Sequence, residues 1–282
     1  MSEYWKLTRP KIVFMVLAAM LVSGWTAAET APYWVALLNA MLGTTGVIVG
    51  AIALNQRLEC QGDAKMPRTA ERPLPAGRLS AVEVTSFGTI ATLLGTAYLI
   101  YFSNVTLVIL AVAGWIVYVL AYTPLKRRSI WQTPVGAAAG AMPALLGAAA
   151  VGAPLSPIGW SLFGIVFCWQ LPHAMAIAWL YRRQFADADV LVAAVVDPTG
   201  RIAGRFAVFG AISLLPVSLA PAIYADMGWI YGLLAALLGL GYLFVSFAFY
   251  RSRDDAAARR LLWASLIYLP LMLMLLVAAK KI

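Results

Sequence analysis

Asn55, Glu59 and Asp63 stand four residues apart. Four residues of α-helix turn about 400°, so a helix that reaches Asp63 carries all three along one shallow stripe. An amide and two carboxylates on one wall are hard oxygen donors. Magnesium takes such ligands while keeping part of its water and sharing the rest of its coordination with phosphate. Arg68 and Arg72, also four apart, follow closely enough to offer forked guanidinium donors to phosphate oxygens. The chemistry indicated is a magnesium–diphosphate site. A plainer reading competes, in which the same charges form interfacial ion pairs on an ordinary loop, and Gly62 is a point where the helix is open to interruption.

Tyr122 opens a second run, which leads to Lys126, Arg127 and Arg128. Three successive cations either stop a span at the headgroups or stabilise the charge that gathers on a diphosphate as it leaves an allylic carbon. In a third segment Gln170, His173, Ile177, Tyr181 and Gln184 recur at steps of three or four and are expected to share one helix face. His173 precedes Arg182 by about 13.5 Å of helix axis, which puts it near mid-membrane. Polar residues at that depth face the bundle or a wet cavity and are functional candidates; a hydrogen-bonded packing histidine is the alternative. It is the single histidine of the chain, so a bis-histidine haem site is disfavoured. Asp187 and Asp189 close this stretch.

The elements that must hold these groups are membrane helices. The chain has 282 residues, 62% hydrophobic and 12% charged, whereas soluble domains run about 45–50% apolar and about 25% charged. A soluble globule is excluded. Apolar runs near 11–28, 34–54, 82–102, 105–122, 133–152, 157–180, 203–222, 229–249 and 260–279 predict nine spans in one all-α transmembrane domain over 1–282. Of 21 Lys and Arg, 19 fall before the first span or in even-numbered gaps, and only Lys280 and Lys281 stand at the far end. This asymmetry predicts a cytoplasmic amino terminus and an outside carboxyl terminus. It accounts for the net charge of +9 and argues against nucleic acid, because the cations are dispersed along a membrane face. The long even gaps point to a site opening on the cytoplasmic side. The first run is read as a retained span rather than a cleaved leader, and Cys60 and Cys168 form no ligand pair or disulfide framework. Pro143, Pro172, Pro216, Pro221 and Pro270 lie inside spans, and Gly136, Gly140 and Gly147 recur at about one-turn intervals that suit close helix approach.

Three segments carry a resemblance. Asn55, Glu59, Asp63, Met66, Arg68, Thr69, Arg72, Pro73, Leu74 and Gly77, then Tyr122, Thr123 and the three cations, then Trp169, Gln170, Pro172, His173, Ala178, Tyr181 and Arg182, follow a known order. In that order the chain resembles the UbiA-type membrane prenyltransferases, most of all their haem O synthase (protohaem IX farnesyltransferase) branch. The match covers roughly residues 4 to 205, and the last three spans agree only in number. The resemblance implies a nine-helix bundle around a central cavity open to the cytoplasmic face of a bacterial-type inner membrane. It implies transfer of farnesyl from farnesyl diphosphate to a vinyl group of haem B, with haem as substrate and magnesium as the cofactor. Asn55, Glu59 and Asp63 would hold the metal, with Arg68, Arg72, Lys126 and Arg127 acting on the diphosphate. Tyr122, Arg128, Gln170, His173, Tyr181, Gln184 and Asp187 would contact substrate, His173 the porphyrin. A haem A synthase or a terminal oxidase is the implied partner. The chain departs from the pattern at Gln132, where Asn is usual, at Ala144, where a second Pro is usual, and at Gln184, where Asp is usual. Glutamine supplies an oxygen but no charge, so Asp187 is read as its substitute and Asp189 as a weaker one. The alternatives are another acceptor, an aromatic acid or quinone precursor, and a non-catalytic oxidase-assembly paralogue.

Overall fold

The structure is a computed structural model that describes residues 3–28, 34–154 and 156–280. Among these, nine helices are long and apolar enough to cross a membrane: α1 Pro10–Ala27, α2 Trp34–Lys65, α3 Ala81–Phe102, α4 Val105–Leu125, α5 Gln132–Ala150, α6 Pro157–Leu180, α7 Arg201–Tyr224, α8 Gly228–Ser252 and α9 Asp255–Ala279. The described residues contain helices and no strand. A short helix at Glu3–Thr8 precedes α1, and others at Pro67–Ala70, Arg182–Asp187 and Ala193–Val196 lie in the connections.

Side chains in the connections set several of the helix starts. Ser80 accepts from the Glu83 backbone N–H while the Glu83 carboxylate accepts from the Ser80 N–H, a reciprocal cap on α3. Asn104, Ser156 and Asp254 cap α4, α6 and α9 in one direction only, each side chain accepting from a backbone N–H three residues on. The cap at Asp254 starts α9 at Asp255, ahead of the expected 260, because capped polar residues extend a helix beyond its apolar run. The largest departure is α2, which continues past the expected end at 54 to Lys65. Gly62 does not interrupt it, so Asn55, Glu59 and Asp63 belong to one unbroken helix.

Helices α5 and α6 form the centre and are the most buried of the nine, while α4, the least buried, lies at the edge. α1 packs on α5, α2 on α3, and α7 on both α6 and α8, with α9 against α6 and α8. One apolar core cluster joins α6 to α9, and a second joins α1 to α5. The α1–α5 contact depends on Gly147: a Cβ there would lie 2.8 Å from the Ser23 Cβ and 2.9 Å from the Gly24 nitrogen, with the Met20 carbonyl nearer still. The Ser23 hydroxyl donates across the same seam to the Ala144 carbonyl. Gly147→Ala is therefore expected to destabilise the fold by about 1–3 kcal/mol, read as a lower melting temperature in detergent.

Candidate active site

A cavity of about 690 Å³ runs into the bundle between α1, α2, α4, α5 and α6, within the range of small-molecule sites, about 300–1,000 Å³. Its inner walls are apolar, including Val16, Val47, Ile48, Ala111, Met142 and Leu146. Its outer end is charged. Arg9, Arg68, Arg72, Lys126 and Arg127 face Glu59 and Asp63 there, an excess of three positive charges.

The stripe on α2 forms one wall of that end. The Asn55 amide donates to the Glu59 Oε1 and to the Thr123 Oγ1, both at 2.9 Å. With its two protons so used, the Asn55 carbonyl oxygen is left as an acceptor. Lys126 Nζ meets Glu59 Oε1 at 2.5 Å and sits 4.5 Å from the Tyr122 ring centre. Burial opposes the Lys126 charge, but Tyr122, Glu59 and Tyr118 outweigh it and hold the ammonium above the usual lysine range. Asp63 is 1% exposed and ion-paired through Oδ2 to Arg72, while its Oδ1 is buried with no hydrogen-bond partner. A buried carboxylate oxygen without a partner is costly. Together with the Asn55 carbonyl and Glu59 it forms a set of hard oxygen donors that fits magnesium. Among the described residues no cluster of three His, Cys, Asp or Glu exists, so an ion held here must share its coordination with an amide, water or substrate oxygen.

The connections bring the cations in. After Met66 the chain turns through Pro67–Ala70, where the Thr69 hydroxyl donates to the Asp63 carbonyl at 2.9 Å; this folds Arg72 back onto Asp63. Gly62 has a specific use, since a Cβ there would lie 3.2 Å from an Arg127 guanidinium nitrogen. At the end of α4 a π-helical turn spans Val117–Tyr122 and precedes Pro124. The missing proline N–H removes a helical bond, and the widened turn accommodates the loss; Tyr118 and Tyr122 both line the cavity. On the opposite wall Gly136 and Gly140 leave room for the Tyr122 ring and the Gln170 amide. Gln170, His173 and Ile177 of α6 face the same space.

Four expected contacts do not reach it. Arg128, Tyr181, Gln184 and Asp187 are absent from the cavity lining. The expectation of one face from Gln170 to Gln184 fails because α6 ends at Leu180: Tyr181 adopts φ −109° and ψ 19°, and Arg182–Asp187 starts a separate helix. Tyr181 instead packs under Arg68, 5.3 Å from its guanidinium carbon. Arg128 and Asp187 are exposed. Asp189, not Asp187, ties this segment to α2, through Lys65 at 2.6 Å, and the Lys65 hydrogen bond holds its carboxyl below the usual range. The Leu191 N–H donates to the Lys126 carbonyl at 2.7 Å, so Val190 and Val192 close part of the mouth. The Gln184 Oε1 lies outside the cavity lining but is buried with no hydrogen-bond partner; Gln184→Asp keeps an oxygen there and is expected to lose no turnover, measured as product per enzyme.

Sequence reasoning missed Arg9, Tyr118, Thr69 and Thr123, all of which line the cavity. Arg9 was legible only as a topological charge. It stands at the start of α1 just before Pro10 with φ 51°, in a left-handed conformation that is uncommon for any residue but glycine, asparagine and aspartate. An Arg-Pro pair at a span entrance is the signal that was available.

Residues 15–274 match the model of the UbiA prenyltransferase family. The chain is 37% identical over 277 residues to protoheme IX farnesyltransferase of Rhodopirellula baltica, covering 95% of this chain and 96% of that protein. It is 38% identical over 282 residues to the protoheme IX farnesyltransferase of Solibacter usitatus, covering 96% of each. Among solved structures, a digeranylgeranylglyceryl phosphate synthase superposes with a TM-score of 0.84 at 17% identity, covering 99% of this chain and 98% of that one. A UbiA homolog from Archaeoglobus fulgidus bound to DMAPP and Mg2+ gives 0.68 at 17% identity, covering 99% of each.

Proposed function

We propose, from the premise that the chain belongs to the UbiA prenyltransferase family, that it transfers the farnesyl group of farnesyl diphosphate to a vinyl group of haem B, giving haem O. The observation that carries this reading is the cavity: a cationic, oxygen-lined end continuous with an apolar body. The first suits a diphosphate and the second an isoprenoid chain beside a flat apolar acceptor. The curated relatives named above, at 37% and 38% identity over nearly their full length, favour haem as that acceptor.

Asn55, Glu59 and Asp63 would hold magnesium, which when bound supplies positive charge to the phosphate oxygens. Arg68, Arg72, Lys126 and Arg127 orient the diphosphate and neutralise the charge that grows on it as the allylic carbon–oxygen bond breaks, both bonding electrons leaving with the oxygen. The vinyl π pair then bonds the allylic carbon, and the cation on the porphyrin side takes a water, which loses a proton to become the new hydroxyl. The apolar walls keep water from the first cation. His173, deep on α6 and facing the cavity, contacts the porphyrin.

Orientation belongs to the same proposal. The Leu7 carbonyl accepts from Gln56 at 2.8 Å and Glu3 pairs with Arg78 at 2.7 Å, which groups the amino-terminal helix with the charged mouth. Lys280 donates to the Trp25 and Ala28 carbonyls at the other end of α1. The side bearing most basic residues is cytoplasmic, so the mouth opens to the cytoplasm of a bacterial-type inner membrane. A haem A synthase or terminal oxidase in that bilayer is the consumer of a farnesylated haem.

The test supplies purified protein with farnesyl diphosphate, magnesium and either haem B or 4-hydroxybenzoate, and records product masses. Farnesylated hydroxyethyl haem is expected. A prenylated benzoate with no haem product would move the chain to another acceptor, and neither product with intact fold would favour the non-catalytic reading.

A further inference from the structure

His173 has a partner that lies 92 residues away in the sequence. Its Nδ1 is 2.7 Å from the hydroxyl of Ser265 on α9. The same hydroxyl is 2.6 Å from the Leu262 carbonyl, and the Ser265 carbonyl accepts from the Trp169 indole at 2.8 Å. Trp169, one turn before His173, stacks on the imidazole with centroids 4.9 Å apart and planes 19° from parallel. Tyr242 of α8 donates to the Trp169 carbonyl at 3.1 Å. The imidazole is thus braced by α6, α8 and α9, and Ser265 is fully buried.

A serine hydroxyl carries one proton. If it goes to Leu262, the Nδ1–H of His173 donates to the serine oxygen, and both short contacts are hydrogen bonds. If it goes to His173, the Ser265 and Leu262 oxygens face each other at 2.6 Å with no proton between them, and an Nε2–H is left without an acceptor. The first arrangement makes one bond more and removes a lone-pair repulsion. Nε2 has no hydrogen-bond partner among the described residues, and His173 lines the cavity.

We infer that Ser265 is a positioning residue that holds His173 as its Nδ1–H tautomer, so that the Nε2 lone pair faces the cavity as a ligand for the iron of the porphyrin acceptor. The tautomer follows from the hydrogen bonds alone; the iron ligand rests on the proposed haem acceptor. Metal-bound histidines commonly donate their other ring N–H in this way, which fixes ring orientation and raises the basicity of the ligating nitrogen.

Because the chain has one histidine, nitrogen-15 histidine labelling gives an unambiguous magnetic resonance spectrum of the full-length protein in lipid. The expected result is a protonated Nδ1 and a bare Nε2. A protonated Nε2 in the parent would overturn the assignment. Ser265→Ala is expected to mix the tautomers and Ser265→Thr to restore one; an unchanged spectrum in Ser265→Ala would remove Ser265 from the role. With haem B added, the parent is expected to show the absorption spectrum of histidine-ligated iron, and Ser265→Ala to bind haem about ten-fold more weakly. Bound haem without histidine ligation would overturn the ligand, even where farnesyl transfer to haem is observed. A failure of the acceptor reading is separate: it shows in the product masses and leaves the tautomer result standing.

Discussion

Asp63→Ala is expected to lower turnover by at least about 100-fold, with the remaining activity demanding far more magnesium. Two effects add. The substitution removes the buried oxygen that has no protein partner, the position through which Asp63 would bind the ion. It also leaves Arg72 without its ion pair at a half-enclosed site, where an uncompensated charge is costly. Asp63→Asn removes the charge from both the ion and Arg72 but keeps the volume and an oxygen that accepts from Arg72, so it is the milder change for the fold. Turnover should fall in both variants, while the melting temperature should fall more in Asp63→Ala. Full turnover in Asp63→Ala with unchanged magnesium dependence would mean that another acid holds the ion.

Lys126→Met is expected to reduce kcat by about 10²–10³-fold with a smaller change in KM, because its charge matters most when the diphosphate departs. In the structure that charge is shared between Glu59 at 2.5 Å and the Tyr122 ring. A methionine keeps the stem and removes the cation, leaving Glu59 without a counter-charge and costing stability as well. Lys126→Met with Glu59→Gln should recover part of the lost stability and none of the turnover. A single variant whose KM rises while kcat holds would assign Lys126 to ground-state binding alone.

The bundle was legible because a bilayer forces long apolar runs, and the lengths of those runs fix the number of spans. What escaped were the ends carried by polar residues. The last turns of α2, from Asn55 to Lys65, are helical although their hydropathy is that of a loop, since side chains facing a cavity need not be apolar. The four-residue spacing of Asn55, Glu59 and Asp63 marks that stripe in the sequence itself. The break at Tyr181 could not be read, because neither glycine nor proline marks it. Gln184 and Asp187 were thereby assigned to a helix face that does not continue to them. Arg9 and Ser265 escaped for a different reason. Their neighbours, Arg72 for one and His173 for the other, are distant in the chain and meet them only when the bundle closes.

The most direct measurement is a crystal structure with manganese and a non-hydrolysable farnesyl thiodiphosphate, located by anomalous scattering. A metal peak is expected among Asn55, Glu59 and Asp63, with the phosphates turned toward Lys126 and Arg72 and the farnesyl chain running inward toward Met142 and Leu146. A metal bound only beside Gln184, Asp187 or Asp189, with the α2 carboxylates uninvolved, would contradict it.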